Sequence, residues 1–338
     1  MRSATVPARA GALALALVLL GAACTAGDDG TSVGADVPPT DATGPVPTAP
    51  DPIDARGPAE PTSGLDLSYE VRALQRTLVD DRRPTPALGG LPAEDERRLD
   101  TWLWVPDGEG PFPLIAFSHG LAGRPEGFGQ LLSTWASHGY VVAAPAFPRT
   151  NGDLPDPTAG LPDLAEQPGD VSFVIDEVLA MAGPGGELDG LVDADRIGAG
   201  GLSLGGGTTY GLVYNSCCRD ERIVAAEVLA GADFPFPGDY DLSTGPPLLV
   251  AHGTLDPAIP YDTAVRIVDA AGVPTWFVTL VDGLHSMPFD DLESPYDRDV
   301  ERLTTAFWDV HLAGRADRLG DFEAAADVPG LITLRRPA

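Results

Sequence analysis

The 338-residue chain is 43% hydrophobic and carries a formal charge of −29, and every one of its 21 basic residues is arginine. That length and apolar content can supply a sizeable core. The absence of lysine excludes Schiff-base chemistry, a Walker-type phosphate loop and a Ser-Lys dyad, and the negative field opposes nucleic acid and polyanionic substrates.

Residues 1–24 read as an export signal. Arg2 and Arg9 are the only charges, and the apolar run Gly11–Leu20 is too short to span a bilayer. The run closes in LLGAAC, which resembles the lipobox of bacterial lipoproteins and marks Cys24 for lipidation. Glycine stands three places before Cys24 where a lipobox has leucine, and ordinary cleavage after Ala23 is the alternative. Residues 25–64 lack aromatics and are dense in Pro, Gly, Thr and Asp, a composition expected to stay disordered and serve as a tether. A single folded domain is expected over 65–338. The first two segments predict an exported protein held at the membrane by a lipid on Cys24, or released in soluble form.

In the folded part, strands are predicted at Tyr69–Val79, Arg98–Val105 and Pro113–Ser118. The third is followed by HGLAG, where Gly120 permits a tight turn and the Leu121 N–H becomes a candidate oxyanion donor. His119 is read as structural. His138 fits a helix C-terminus, and the strand Tyr140–Ala144 follows it. The segment Pro145–Gly169 contains six prolines. It is expected to wall a substrate site, with Phe147 as a contact. In Asp170–Met181 the residues Val171, Val174, Ile175, Val178 and Leu179 repeat with a helical period.

The strand Arg196–Leu202 runs into Gly201-Leu202-Ser203-Leu204-Gly205, a G-x-S-x-G pattern between a predicted strand and a helix starting near Leu204. A serine held on such a sharp turn is the nucleophile elbow, and the Leu204 N–H is the second candidate oxyanion donor. Cys217 and Cys218 are adjacent and fit a vicinal disulfide, free thiols or an interchain pair, but not a metal site. Strands are predicted at Ile223–Leu229, Leu248–His252 and Thr275–Val281. The stretch Ala230–Leu248 is too short and too rich in Gly and Pro for a lid domain, so the serine is expected to be open to solvent. The acidic group Asp290, Asp291, Glu293 and Asp297 reads as solvated surface rather than a calcium site. Val300, Leu303, Phe307 and Val310 define a final helix, on which His311 is a packing residue.

A serine hydroxyl needs a base to take its proton, and the base needs a group to orient it. His285, in a loop directly after the strand Thr275–Val281, is the base. Asp256, just after the buried strand Leu248–His252, is the acid. Asp233 is its rival, one strand earlier, and Asp282 is too near His285 in sequence. Neither cofactor nor metal is required.

The segments LIAFSHGLAG, GLSLGGG, HGTLDPAIP and DGLHSMPF are similar to the corresponding parts of α/β-hydrolases over roughly residues 65–315. The nearest branch resembles secreted bacterial esterases related to platelet-activating-factor acetylhydrolase, dienelactone hydrolase and cutinase-like polyester hydrolases. Dienelactone hydrolases use a cysteine nucleophile where Ser203 stands. Cutinase-like enzymes carry an aromatic residue where Leu121 stands. The resemblance implies a mostly parallel sheet of about eight strands with helices on both faces and no large lid domain. It also implies a serine esterase working through Ser203, His285 and Asp256 on a small or polymeric ester. A peptidase or amidase on the same triad and a catalytically silent binding lipoprotein are the alternatives.

Overall fold

Among the described residues, short runs of β-branched and apolar residues make nine strands, and the amphipathic stretches between them make the helices. The computed structural model describes residues 69–337; the export-signal segment, Cys24 and the tether lie outside the described residues. In chain order the elements are β1 (Val71–Asp80), β2 (Arg97–Pro106), β3 (Phe112–Ser118), α1 (Gly129–Ser137), β4 (Val141–Ala146), α2 (Gln167–Met181), β5 (Val192–Leu202) and α3 (Leu204–Tyr214). They continue with β6 (Ile223–Leu229), β7 (Leu248–Gly253), α4 (Tyr261–Ala270), β8 (Thr275–Leu280), α5 (Asp297–His311), α6 (Leu319–Ala325) and β9 (Ile332–Arg335).

The sheet order is β1-β2-β4-β3-β5-β6-β7-β8-β9. The six strands from β4 to β8 in that order are parallel, while β2 and β9 run against their neighbours. Every residue of β3 and of β7 is buried, as a parallel strand covered on both faces requires. One face is packed by Leu131 and Trp135 of α1, Val300, Phe307 and Trp308 of α5, and Phe322 of α6. The other is packed by Val171, Val174 and Val178 of α2, Tyr210 and Val213 of α3, and Ala264 and Ile267 of α4. This is the α/β-hydrolase fold. The connection from β6 to β7 holds no helix.

All eight predicted strands form, with ends shifted by a few residues, and α2 begins three residues earlier than its apolar period indicates, with Pro168 in its first turn. α5 is not the last helix: α6 and the edge strand β9 follow it. Only four residues long, β9 pairs with β8 by register from Phe277–Arg335 to Leu280–Ile332, a contact without local signal. His138 caps α1, its Nδ1 2.8 Å from the Thr134 carbonyl.

Candidate active site

The C-terminal ends of parallel strands expose backbone and loops at one sheet edge, where ligands of open α/β sheets bind. Here the loops after β3, β5, β7 and β8 meet there. Ser203 sits between β5 and α3 with φ 56° and ψ −115°, a conformation that L-residues rarely adopt. Its own N–H is tied to the Leu229 carbonyl at the end of β6 at 2.9 Å. The two glycines of the motif are required by space. A Cβ on Gly205 would lie 2.0 Å from the Ser118 carbonyl oxygen, and one on Gly201 would lie 2.3 Å from that of Gly205. A larger residue at either position would push β3 away from the elbow.

Ser203 Oγ lies 2.7 Å from His285 Nε2, and His285 Nδ1 lies 2.7 Å from Asp256 Oδ2. The loop after β8 that carries His285 is held to the loop after β7 by the Leu255 N–H, which donates to the Gly283 carbonyl at 3.0 Å. Asp256 Oδ1 accepts the Ala258 and Ile259 amides at 2.8 and 2.9 Å. Burial acts to raise the carboxyl pKa, but hydrogen bonds from His252, His285 and the Ile259 amide outweigh it and hold Asp256 well below the usual carboxylate range. The rival Asp233 is elsewhere, in a two-pronged ion pair with Arg266 at 2.6 and 2.9 Å.

The loop after β3 is fixed at several points. His119 Nδ1 donates to the Gly120 carbonyl at 2.7 Å, and its Nε2 accepts the Phe147 N–H at 3.1 Å. Burial pushes this imidazole down to about 4, so it remains neutral. Ala122 adopts a left-handed φ of 57°. Its N–H is taken by the Thr150 carbonyl, and the Gly123 N–H by that of Gly120, at 2.8 and 2.9 Å. The Leu121 N–H just before them makes no such bond among the described residues. Leu204 opens α3, where the first amides have no intrahelical acceptor. A Cβ on Gly120 would lie 3.2 Å from Ser203 Cβ, so the loops after β3 and β5 touch at Ser203.

Phe147 is not a substrate contact. Its side chain is 0% exposed, packed in the core and 5.0 Å from the His119 ring, so no ligand reaches it. A residue directly after a buried strand is drawn into the core when its ring has room there. The rest of the segment does reach the site. Pro157–Glu166 forms a 3-10 helix, and its Leu161 and Leu164 pack in one cluster with Leu121, Leu204, Phe234 and Phe236. Fully buried Arg97 clamps the end of this segment, bonding both oxygens of Asp163 at 3.0 and 2.9 Å and both oxygens of Asp170 at 2.6 Å.

Cys217 and Cys218, beyond α3, form a vicinal disulfide. In the acidic group, Asp290 accepts the Leu292 amide, Asp291 the Gln130 amide and Asp297 the Ser294 amide, as turn and capping residues do. His311 lies between the Trp276 and Phe307 rings at 4.3 and 4.7 Å. Cys24 lies outside the described residues. His252 was not singled out in the sequence, although a histidine ending an all-apolar strand four residues before Asp256 is a readable signal.

Residues 99–214 match the family model described as Chlorophyllase, an esterase family of the α/β-hydrolase kind. The matched span runs from β2 through the elbow to the end of α3. The match does not confirm the resemblance to the three esterase groups. No curated protein matches the chain. Fold and match together mark an ester hydrolase of the α/β-hydrolase type.

Proposed function

We propose that the protein is a serine carboxylesterase working through an acyl-enzyme. Ser203 Oγ attacks the ester carbonyl as His285 Nε2 takes its proton, and the developing oxyanion is met by the Leu121 and Leu204 amides. His285 then returns the proton to the departing alcohol. Water, deprotonated by the same imidazole, releases the acid and restores Ser203. Asp256 fixes the His285 tautomer with the proton on Nδ1 and stabilises the imidazolium. The observation that carries this reading is the unbroken chain of two 2.7 Å contacts from a left-handed serine to an ionised carboxylate. No cofactor enters the cycle.

A fluorophosphonate probe tests it. Stoichiometric labelling of Ser203 with loss of hydrolysis of a soluble short-chain ester is expected, and an unlabelled, inert protein would refute the enzyme. A panel of esters, amides and polyester films then ranks the substrate classes, esters first. We further propose that the enzyme is exported and anchored by a lipid on Cys24, on the strength of LLGAAC. Partition into the detergent phase, lost in Cys24→Ala, is expected; wild type recovered wholly in the medium with unmodified Cys24 would exclude it.

A further inference from the structure

The penultimate residue of β7, LLVAHG, is a histidine whose side chain is 0% exposed, and a fully buried imidazole needs partners. His252 Nε2 lies 2.9 Å from the Ile259 carbonyl and 3.1 Å from Asp256 Oδ2. Both neighbours are acceptors, so the proton sits on Nε2 and is shared between them. The shorter arm goes to Ile259 and the longer to the carboxylate. Nδ1 is buried without a hydrogen-bond partner among the described residues, as the unprotonated nitrogen of that tautomer. The other ring facing His252 is Tyr261 of α4, at 6.2 Å between centroids, and its hydroxyl is engaged with Thr279.

Asp256 therefore has four donors: two amides on Oδ1, and two imidazoles, His285 and His252, on Oδ2. Ile259 takes part twice, since its N–H donates to Oδ1 while its carbonyl receives His252. The loop that carries the acid is thus pinned to the end of its own strand by a side chain that cannot reach substrate.

We propose that His252 is a positioning residue for the acid. By holding Oδ2 toward His285 and sharing a proton with it, His252 sets the acid's orientation and its strength as an acceptor. The inference rests on Asp256 being the acid of the proposed triad. Without His252 the carboxylate keeps three donors and becomes a stronger acceptor for the His285 Nδ1–H. The imidazolium is then favoured, and the base loses its proton at higher pH.

The test compares His252→Phe, which removes the donor, with His252→Gln, whose amide can present one near the Nε2 position. Full-length protein is used, with rates normalised to fluorophosphonate-titrated sites. His252→Phe is expected to lower kcat about 10- to 100-fold, the range of one hydrogen bond to a charged group. KM stays within about twofold, since no substrate contact is lost, and the acid limb of kcat/KM moves to higher pH. His252→Gln restores the limb and most of kcat. An unshifted limb in His252→Phe, or a loss that Gln does not rescue, overturns the proposal.

If His252→Phe does not fold, the tautomer in the wild type decides. Imidazole nitrogen shifts of the neutral ring are expected to show Nε2 protonated and Nδ1 bare; the opposite tautomer would remove the bond and the proposal with it. Asp256→Asn, run alongside, separates the two readings. Ordinary activity in that variant would refute Asp256 as the acid, whatever His252 does.

Discussion

Two carboxyl groups one strand apart meet opposite fates. At the edge of the sheet, Asp256 follows β7, is buried and is held ionised by four donors. Inside the sheet, Glu227 of β6 is 0% exposed, and neither of its oxygens has a hydrogen-bond partner among the described residues. Its register neighbours are Gly200 and Leu249, and Trp308 of α5 packs over Gly200. Burial alone pushes the Glu227 carboxyl well above its ordinary range, so the acid is kept neutral. Being buried therefore does not by itself decide the charge of an acid here. The donors that the loops at the strand ends can supply set it, and the interior of a strand, whose amides are spent on the ladder, has none to give.

The widest contrast is tested at the edge. Ser203→Ala should lower kcat/KM for a soluble ester by on the order of 10⁴-fold or more, His285→Ala by a similar factor, and the double variant by no more than either. Ordinary turnover in either single variant would remove the edge from the chemistry. Asp256→Asn should cost about 10⁴-fold, because the amide favours the wrong His285 tautomer. Asp233→Asn, which breaks only a partly exposed pair with Arg266, should leave the rate within about threefold. Because Asp256 stays charged well below the usual carboxylate range, its protonation should contribute nothing to the fall in activity on acidification from about pH 8 to 5. A second proton in that limb would contradict the four-donor arrangement.

Arg97 supplies an intermediate case, a buried cation facing two buried acids. Arg97→Met leaves Asp163 without its charge partner and Asp170 with Arg83 alone, and should cost about 3–5 kcal/mol in chemical denaturation. Arg97→Lys should recover only part, since one ammonium cannot bond four oxygens in two planes. A loss under about 1 kcal/mol for Arg97→Met would show that the clamp adds little.

The smallest effect comes from the strand interior. Glu227 is neutral in the folded chain and ionised in the unfolded chain once pH exceeds its ordinary value of about 4.5. The unfolded state then binds fewer protons, so this residue removes stability as pH rises. Glu227→Gln should remove that dependence, raising Tm by about 2–4 °C or more near pH 8, with the gain fading toward pH 4.5. A gain that is equal at both pH values would mean that Glu227 is ionised in the fold.

Much of this molecule is set by local pattern. The alternation of apolar runs with helical periods specified eight strands and the parallel sheet, because burial on two faces and on one leave different periods in a sequence. The elbow was legible because only small residues fit beside a serine on so sharp a turn. The order Ser203, Asp256, His285 was legible because each follows a strand and strand ends converge at one edge. Partnerships across the fold left no such mark. His285 finds Ser203 across 82 positions and Arg97 finds Asp170 across 73. Phe147 turned inward toward His119, β9 paired with β8, and His252 reached the acid it precedes by four residues. Period and turn chemistry are written residue by residue, whereas the choice of a hydrogen-bond partner, and with it the charge of a buried acid, exists only once the strands lie side by side.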